Sequence, residues 1–139
     1  MTKALIQPYL MFGGRCEEAL EFYRTALDAQ IDMMMRFKDS PEPPPPGMLP
    51  SGFENKVMHA SFRIGDNILM ASDGCEEGQH FSSFSLSIAV ATEAEADRFF
   101  AALSDGGQVQ MPLDKTFWSP RFGMLTDRFG ISWMINVVA

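Results

Sequence analysis

The amino-acid sequence predicts an α+β fold made of two modules, each a strand, a helix and three further strands (βαβββ). The 139 residues are the length of one ordinary domain. Segments with strand alternation surround two segments with helical spacing. Four apolar positions of the first helical segment recur 77 residues later in the second: Ala19, Phe22, Tyr23 and Ala26 correspond to Ala96, Phe99, Phe100 and Leu103. A repeat of this length is typical of a duplicated module.

The first module is expected at about residues 1–74 of a single domain that covers residues 1–139. Apolar positions at helical spacing predict a helix over about 15–28, and Gly13-Gly14 separates it from the strand before it. The turn 65–67 (GDN) predicts a hairpin between the last two strands. The predicted strands of this module are 5–12, 31–37, 58–64 and 68–72.

Prolines mark the connection between the second and third strands. Pro41 and the run 43–46 can neither donate to a strand ladder nor continue a helix. Residues 39–55 are therefore predicted to form an exposed, extended loop. A polyproline ligand for a partner domain is the alternative interpretation, and the sequence leaves the role of segment 41–50 open.

The second module, at about 81–139, follows the same plan. Thr92 and Glu95 form a capping box that begins a helix, and the segment 105–107 (DGG) ends it near Ser104. The predicted strands are 84–90, 108–113, 122–126 and 131–137. Each helix should cover one face of its sheet. The uncovered faces of the two curved sheets are then expected to enclose a cavity that binds small ligands.

Charge and composition argue against several kinds of partner. The formal net charge is −7 and the eleven Lys and Arg include no run of three, whereas nucleic-acid binding needs a basic face. No apolar stretch is long enough to span a membrane, and residues 1–12 lack a signal-peptide pattern. We therefore expect a cytoplasmic protein with neither nucleic-acid nor membrane partners. Cys16 and Cys75 match no zinc pattern and are predicted to be free thiols.

Several segments carry a resemblance to a known family. They are 8–10 (PYL), 59–64 (HASFRI), 70–73 (MASD) and a distinctive C-terminal stretch made of 116–118 (TFW), 127–130 (DRFG) and 133–136 (WMIN). Together they resemble the PhnB-like family of the vicinal oxygen chelate superfamily, which includes glyoxalase I, bleomycin resistance proteins and dioxygenases. The resemblance covers nearly the whole chain and implies two βαβββ modules in a curved mixed sheet around a cavity.

The resemblance also raises the questions of cofactor and metal. Some family members carry a demethylubiquinone methyltransferase-like label, but no Gly-rich loop follows a strand here to hold an adenosyl cofactor, so we expect no cofactor. Metal-dependent superfamily members take ligands from the first and last strands of each module. The resemblance places these positions at about Gln7, Met70, Ser85 and Met134. Thioethers are soft ligands and a serine hydroxyl is a weak one, so we expect no metal.

The same register predicts the side chains that line the cavity, because side chains alternate across a strand. These residues are Gln7, Tyr9, Ser61, Arg63, Met70, Ser72, Ser85, Met134 and Asn136, with Trp118 at the cavity mouth. His59 shares this face and is the candidate catalytic residue, since imidazole exchanges protons near neutral pH. Structural roles are the alternatives: a strand hydrogen bond for His59 and an ion pair with aspartate for Arg63. Asp73 and His80 are expected to be solvated by water in the loop between modules.

Two classes of function remain open. Hydroxyls and methionines on the predicted cavity face favour a metal-independent protein that binds a small, partly apolar molecule. The alternative is an enzyme of the superfamily, either metal-free with His59 as base or with a non-standard metal site. Open strand edges and the superfamily resemblance predict a homodimer. The sequence does not identify the ligand.

Overall fold

The structure is a computed structural model that describes residues 4–42, 45–78 and 80–138. The chain divides into two units, residues 1–79 and 80–139, and the division falls in the predicted gap between the modules. Over the described residues each unit has one α-helix and one open four-stranded mixed sheet. The α+β class and the βαβββ plan of both modules are confirmed.

The first unit contains β1 (Tyr9–Met11), α1 (Cys16–Leu27), β2 (Gln30–Arg36), β3 (Val57–Ile64) and β4 (Asn67–Ser72). Its strand order is β1-β4-β3-β2, with β1 parallel to β4 and the other pairs antiparallel. The first strand is shorter than predicted, and Leu5 and Ile6 are 82% and 99% exposed. Pro8 has no N–H to donate, so the ladder begins where its carbonyl accepts from the Met70 N–H.

Helix α1 covers one face of the first sheet with a stripe of small and aromatic side chains. Ala19 and Tyr23 are fully buried, and the Tyr23 ring stacks on Phe62 of β3 with 6.3 Å between centroids. Because side chains alternate along β3, His59 and Ser61 lie on the opposite face, which α1 leaves uncovered. This agrees with the predicted alternation.

A buried aspartate ties α1, β3 and β4 together. Asp73 is 2% exposed, and its carboxylate accepts the N–H groups of Gly14, Cys16 and Val57, each at 2.8 Å. The expectation that Asp73 is solvated in a loop is therefore wrong. The chain segment after β4 meets unpaired N–H groups at the start of α1, and a carboxylate satisfies them. His80 is exposed, as expected.

The connection between β2 and β3 carries the proline-rich segment. Pro43 and Pro44 lie outside the described residues. Pro45 and Pro46 are exposed, as predicted for an exposed loop. Two short 3-10 turns, Phe37–Asp39 and Phe53–Asn55, flank the segment. They contact one another through the rings of their two phenylalanines, whose centroids are 6.4 Å apart.

The second unit contains β5 (Leu86–Val90), α2 (Glu93–Ser104), β6 (Gln108–Asp114), β7 (Phe122–Thr126) and β8 (Ser132–Val137) in the order β5-β8-β7-β6. Strand β5 is parallel to β8, and the other pairs are antiparallel. The strand predicted at 84–90 begins later than predicted, because Phe84 is 42% exposed and precedes β5. Ser83 has a φ of 65°, which redirects the chain just before this point.

Helix α2 confirms both the capping box and the repeat. The Glu95 N–H donates to Thr92 Oγ1 at 3.1 Å, and the Thr92 hydroxyl donates to Glu95 Oε1 at 3.2 Å. The helices begin 77 residues apart, at Cys16 and Glu93. At 12 residues each, neither of these α-helices of the described chain is long and apolar enough to cross a membrane.

The segment between β7 and β8 is a turn held by a second buried aspartate. Asp127 is 3% exposed and accepts the N–H groups of Phe129 and Ile131 through Oδ1. Its Oδ2 accepts the indole N–H of Trp133 at 2.8 Å. Gly130 has a φ of 92°, a conformation that favours glycine, so the segment is a turn of the predicted kind.

Candidate functional site

The uncovered face of the first sheet is rich in methionine. One row of directly paired residues crosses all four strands: Tyr9, Met70, Ser61 and Met33. The neighbouring positions of this face include Met11, His59 and Met35, and the last two are paired across β3 and β2. We call these seven residues the Met-rich face. Met11 is 56% exposed, and Tyr9 and Met33 are each 41% exposed, which is unusual for large side chains with apolar character.

A hydrogen bond between side chains two strands apart is the main polar feature of this face. The Tyr9 hydroxyl lies 3.2 Å from His59 Nδ1, and the two ring centroids are 5.7 Å apart at an interplanar angle of 35°. Either group can donate, depending on the imidazole tautomer. The bond spans β4 and fixes the imidazole through Nδ1, so Nε2 is the ring nitrogen available to a ligand. Sequence alternation placed both residues on this face, and the structure brings them together.

Arg63, another predicted site residue, is engaged in an ion pair at the sheet edge. Its Nε donates to Asp32 Oδ2 at 2.8 Å, and Nη2 donates to Gln30 Oε1 at 2.6 Å. The hydrogen bond and charge of Asp32 raise the pKa of Arg63. The guanidinium is therefore neutralised by a neighbouring strand, which is the structural alternative considered from the sequence. A ligand-binding role for Arg63 stays a prediction.

The other predicted residues of the first unit differ in accessibility. Met70 and Ser61 are half-buried within the central row of the Met-rich face. Ser72 is 3% exposed, and its hydroxyl accepts the Gly74 N–H at 3.1 Å, so it supports the turn after β4. Gln7 is half-buried and precedes β1. Met70 and Ser61 are the members of this group best placed to meet a small molecule.

The second sheet also has a face that α2 leaves uncovered. The side chains on this face differ in type from one row of paired residues to the next. The rows are Ser85, Ser132 and Thr126; then Met134, Met124 and Met111; then Asn136 and Phe122. The Ser85 and Ser132 hydroxyls are hydrogen-bonded at 2.7 Å. The side-chain oxygen of Asn136 is buried and, over the described residues, has no hydrogen-bond partner. The predicted site residues Ser85, Met134 and Asn136 therefore share one face of this sheet.

Trp118, predicted to cap the cavity, belongs to an exposed aromatic cluster. Its ring meets Phe117 and Phe122 edge to face, with centroids 4.7 Å and 5.3 Å apart. Phe117 is 97% exposed and Trp118 is 51% exposed. The Thr116 hydroxyl accepts the N–H groups of Trp118 and Ser119, which fixes the loop that carries the rings. The cluster borders a surface groove of about 580 Å³.

The residues at the superfamily's metal positions do not fit a divalent first-row metal. Met70 and Met134 offer soft thioethers, and the Ser85 hydroxyl is bonded to Ser132. Gln7 remains as a single amide donor. Across the described residues there is no group of three or more His, Cys, Asp or Glu side chains that could hold a metal ion. The donor chemistry of this chain thus differs from that of metal-dependent relatives.

The two cysteines differ in their accessibility to reagents. Cys16 is fully buried at the start of α1, and burial, with added repulsion from Asp73 and Glu17, raises the pKa of its thiol far above the usual range. Cys75 is exposed. Both thiols are free, as predicted.

The sequence did not predict two members of the Met-rich face. Met33 and Met35 lie on β2, where the register shifts twice against β3, between Ile31 and Met33 and again between Met35 and Arg36. Bulges of this kind break the period of two that alternation relies on. The run 33–35 (MMM) was the available signal, because consecutive methionines in a strand must place some thioethers on each face.

Comparisons with known proteins identify close relatives of this chain. The family model described as 3-demethylubiquinone-9 3-methyltransferase matches residues 4–136. Protein YjdN of Escherichia coli (strain K12) is 34% identical over an alignment that covers 96% of this chain and 95% of that protein. The crystal structure of protein PA1353 from Pseudomonas aeruginosa is 43% identical, with a TM-score of 0.85 and 98% of each chain covered.

A second structure links the chain to the PhnB name, and a more distant one links it to the superfamily fold. The PhnB protein from Bacillus cereus is 31% identical with a TM-score of 0.79, over 97% of this chain and 100% of that one. A glyoxylase/bleomycin resistance protein/dioxygenase domain from Frankia sp. EAN1pec has a TM-score of 0.69 at 11% identity, with 100% of both chains covered. The chain therefore belongs to the PhnB-like, 3-demethylubiquinone-9 3-methyltransferase-like family and has the glyoxalase/bleomycin resistance fold.

Proposed function

We propose that this protein binds a small, partly apolar molecule on the Met-rich face, without a divalent metal, and that the Tyr9–His59 pair makes the polar contact. The observation that carries the proposal is the 3.2 Å hydrogen bond between these two side chains, on a partly exposed face whose other members, apart from Ser61, are methionines. Two polar groups held in one orientation, surrounded by adaptable apolar side chains, have the composition of a small-molecule site.

The methionines suit this role. A thioether side chain has three rotatable bonds and a polarizable sulfur, so it adapts to ligands of different shape. Met11 and Met33 are 56% and 41% exposed. Removing such surface from water contributes about 25 cal/mol per Å². A ligand that covers several of these side chains would therefore gain affinity from burial alone.

The charges near this face favour an uncharged ligand. Arg63 lies two residues after Ser61 on β3 and is paired with Asp32. Asp73, at the end of β4, is buried and bonded to three backbone N–H groups. Neither group is available to neutralise a charged ligand, whereas Tyr9 and His59 can exchange donor and acceptor roles with a neutral polar group.

A ligand screen by native mass spectrometry tests the proposal. Wild-type protein should retain at least one class of neutral, partly apolar compound, seen as a mass shift. His59→Gln should weaken that binding about tenfold, a loss of about 1.4 kcal/mol, while costing little stability. His80→Gln, at an exposed position outside this face, is the matched control and should leave binding unchanged. Equal binding by wild type and His59→Gln would contradict the proposed contact.

The alternative function is metal-free catalysis with His59 as general base. The same hydrogen bond supports it, because a ring held through Nδ1 can use Nε2 to accept a proton from a bound substrate. Catalysis predicts turnover of a bound compound that Tyr9→Phe slows without weakening binding equally. Retention of every bound compound unchanged over hours would favour a binding protein.

The proposal includes three further expectations. Elemental analysis should find well under one Zn, Ni, Mn or Fe per chain, because the four superfamily positions lack strong ligands. Sedimentation at micromolar concentration should show a homodimer, since each sheet leaves edge strands unpaired. Cell fractionation should place the protein in the cytoplasm. Ser85, Trp118, Met134 and Asn136 remain predicted ligand contacts on the second unit.

A further inference from the structure

Three methionines on the second sheet form a row, and only one of them, Met134, is a predicted ligand contact in the proposed function. Met134 on β8 is paired with Met124 on β7, and Met124 is paired with Met111 on β6. Directly opposed residues of antiparallel strands have Cα atoms about 4.5–5.5 Å apart and point their side chains to the same face. We call Met111, Met124 and Met134 the thioether row. Helix α2 packs against the other face of this sheet, so it does not bury the row.

A residue next to the row shows that α2 covers the opposite face of the sheet. Gly123 follows Phe122 and precedes Met124, and a Cβ at Gly123 would lie 2.7 Å from a ring carbon of Phe100 on α2. Position 123 therefore faces the helix, and alternation places Met124 on the uncovered side. Met111 is 42% exposed, whereas Met124 and Met134 are half-buried. The row thus has one open end through which an ion can enter.

We propose that the thioether row binds a soft monovalent cation, Cu(I), through three methionine sulfurs. Thioether sulfur is a soft, neutral ligand, and soft ligands select Cu(I) over the hard and borderline divalent ions. Three rotatable bonds per side chain let the two outer sulfurs lean towards the central one. The net charge of −7 attracts cations to the protein as a whole. This inference is independent of the Met-rich face and of its ligand.

The ligand type gives this site a distinctive pH dependence. Metal sites built from thiolate or imidazole lose affinity as pH falls, because protons compete for those ligands. A thioether has no proton to gain near neutral pH. Binding by the thioether row should therefore persist under mildly acidic conditions that weaken a site built from imidazole or thiolate ligands.

Titration with Ag(I), a redox-inert probe for Cu(I), tests the proposal on the full chain. Cys75→Ser is the background, because the exposed thiol would otherwise take the ion; Cys16 is buried. Calorimetry in chloride-free buffer should show one ion per chain, with a Kd that changes less than about threefold between pH 7 and pH 5. Met124→Leu, which keeps volume and apolar character but loses the central sulfur, should weaken this binding by about tenfold or more.

A matched methionine on the other unit provides the control. Met48→Leu removes an exposed thioether in the loop between β2 and β3, outside both sheets, and it should leave Ag(I) binding at pH 5 unchanged. Circular dichroism of both variants confirms that each remains folded. Three results would overturn the proposal: no Ag(I) binding tighter than about 100 μM, equal binding by the Cys75→Ser protein with and without Met124→Leu, or binding that is lost at pH 5. An adaptable apolar surface without metal affinity would give the first result.

Discussion

Replacement of Asp73 by alanine should destabilise the first unit severely, because one carboxylate satisfies three buried N–H groups. The partners are the backbone N–H groups of Gly14, Cys16 and Val57, each 2.8 Å from a carboxylate oxygen. Hydrogen bonds to a charged group contribute about 1.5–3 kcal/mol each, so three give an upper bound of about 5–9 kcal/mol. Water can reach part of the site through an adjacent cleft of about 320 Å³ that Gly14 and Lys56 line.

We therefore expect Asp73→Ala to lower the free energy of unfolding by about 3–5 kcal/mol, a large fraction of the 5–15 kcal/mol typical of a domain. Urea denaturation followed by circular dichroism measures this loss. Asp39→Ala, at an exposed aspartate in a 3-10 turn, is the control and should change stability by less than about 0.5 kcal/mol. A loss below about 1 kcal/mol for Asp73→Ala, at an unchanged m-value, would refute the reasoning.

Three further predictions concern the thiols, one ion pair and one close packing contact. Alkylation of native protein should label Cys75 alone, and Cys16 should react only after unfolding, because burial raises the pKa of its thiol; two adducts on native protein would contradict this. The Arg36 hydrogen bond lowers the pKa of Glu17 from its ordinary 4.5, so the pair stabilises the folded state above that value. The difference in Tm between wild type and Glu17→Gln should accordingly be present at pH 7 and should close as the pH falls below 4.5. Gly123→Ala places a Cβ 2.7 Å from a ring atom of Phe100 on α2 and should lower the free energy of unfolding, measured by urea denaturation, by about 1–3 kcal/mol. An unchanged free energy would show that the ring moves aside without cost.

The sequence was sufficient to predict the element order because each module repeats strong local signals. The 77-residue offset between helical stripes reappears as the offset between the starts of α1 and α2. The capping box at Thr92 and the turn before β8 depend on contacts within a few residues. The first strand was predicted too long because Leu5 and Ile6 are apolar, yet pairing with β4 begins only at Pro8. Apolar composition does not reveal where a partner strand ends.

The candidate site was predictable only in part, for a related reason. The period of two holds along β3, so alternation placed His59 and Ser61 on the uncovered face. Alternation does not reveal that Tyr9 reaches His59 across β4, because the partners are 50 residues apart in the chain. The same limit hid the role of Asp73, two of whose partners lie 57 and 59 residues away. Contacts of this range are set by sheet order, which local patterns do not encode.

Methionine-methyl NMR tests the central claim, that the Met-rich face binds the ligand, most directly. The protein carries eleven methionines, so ¹³C-methyl labelling reports on both sheets and on the β2–β3 loop in one spectrum. Titration with the tightest compound from the ligand screen should shift the methyl resonances of Met33, Met35 and Met70 and leave that of Met48, in the loop, unchanged. In Tyr9→Phe the same shifts should require about tenfold more compound. Shifts confined to methionines outside this face, or identical titrations for wild type and Tyr9→Phe, would contradict the account.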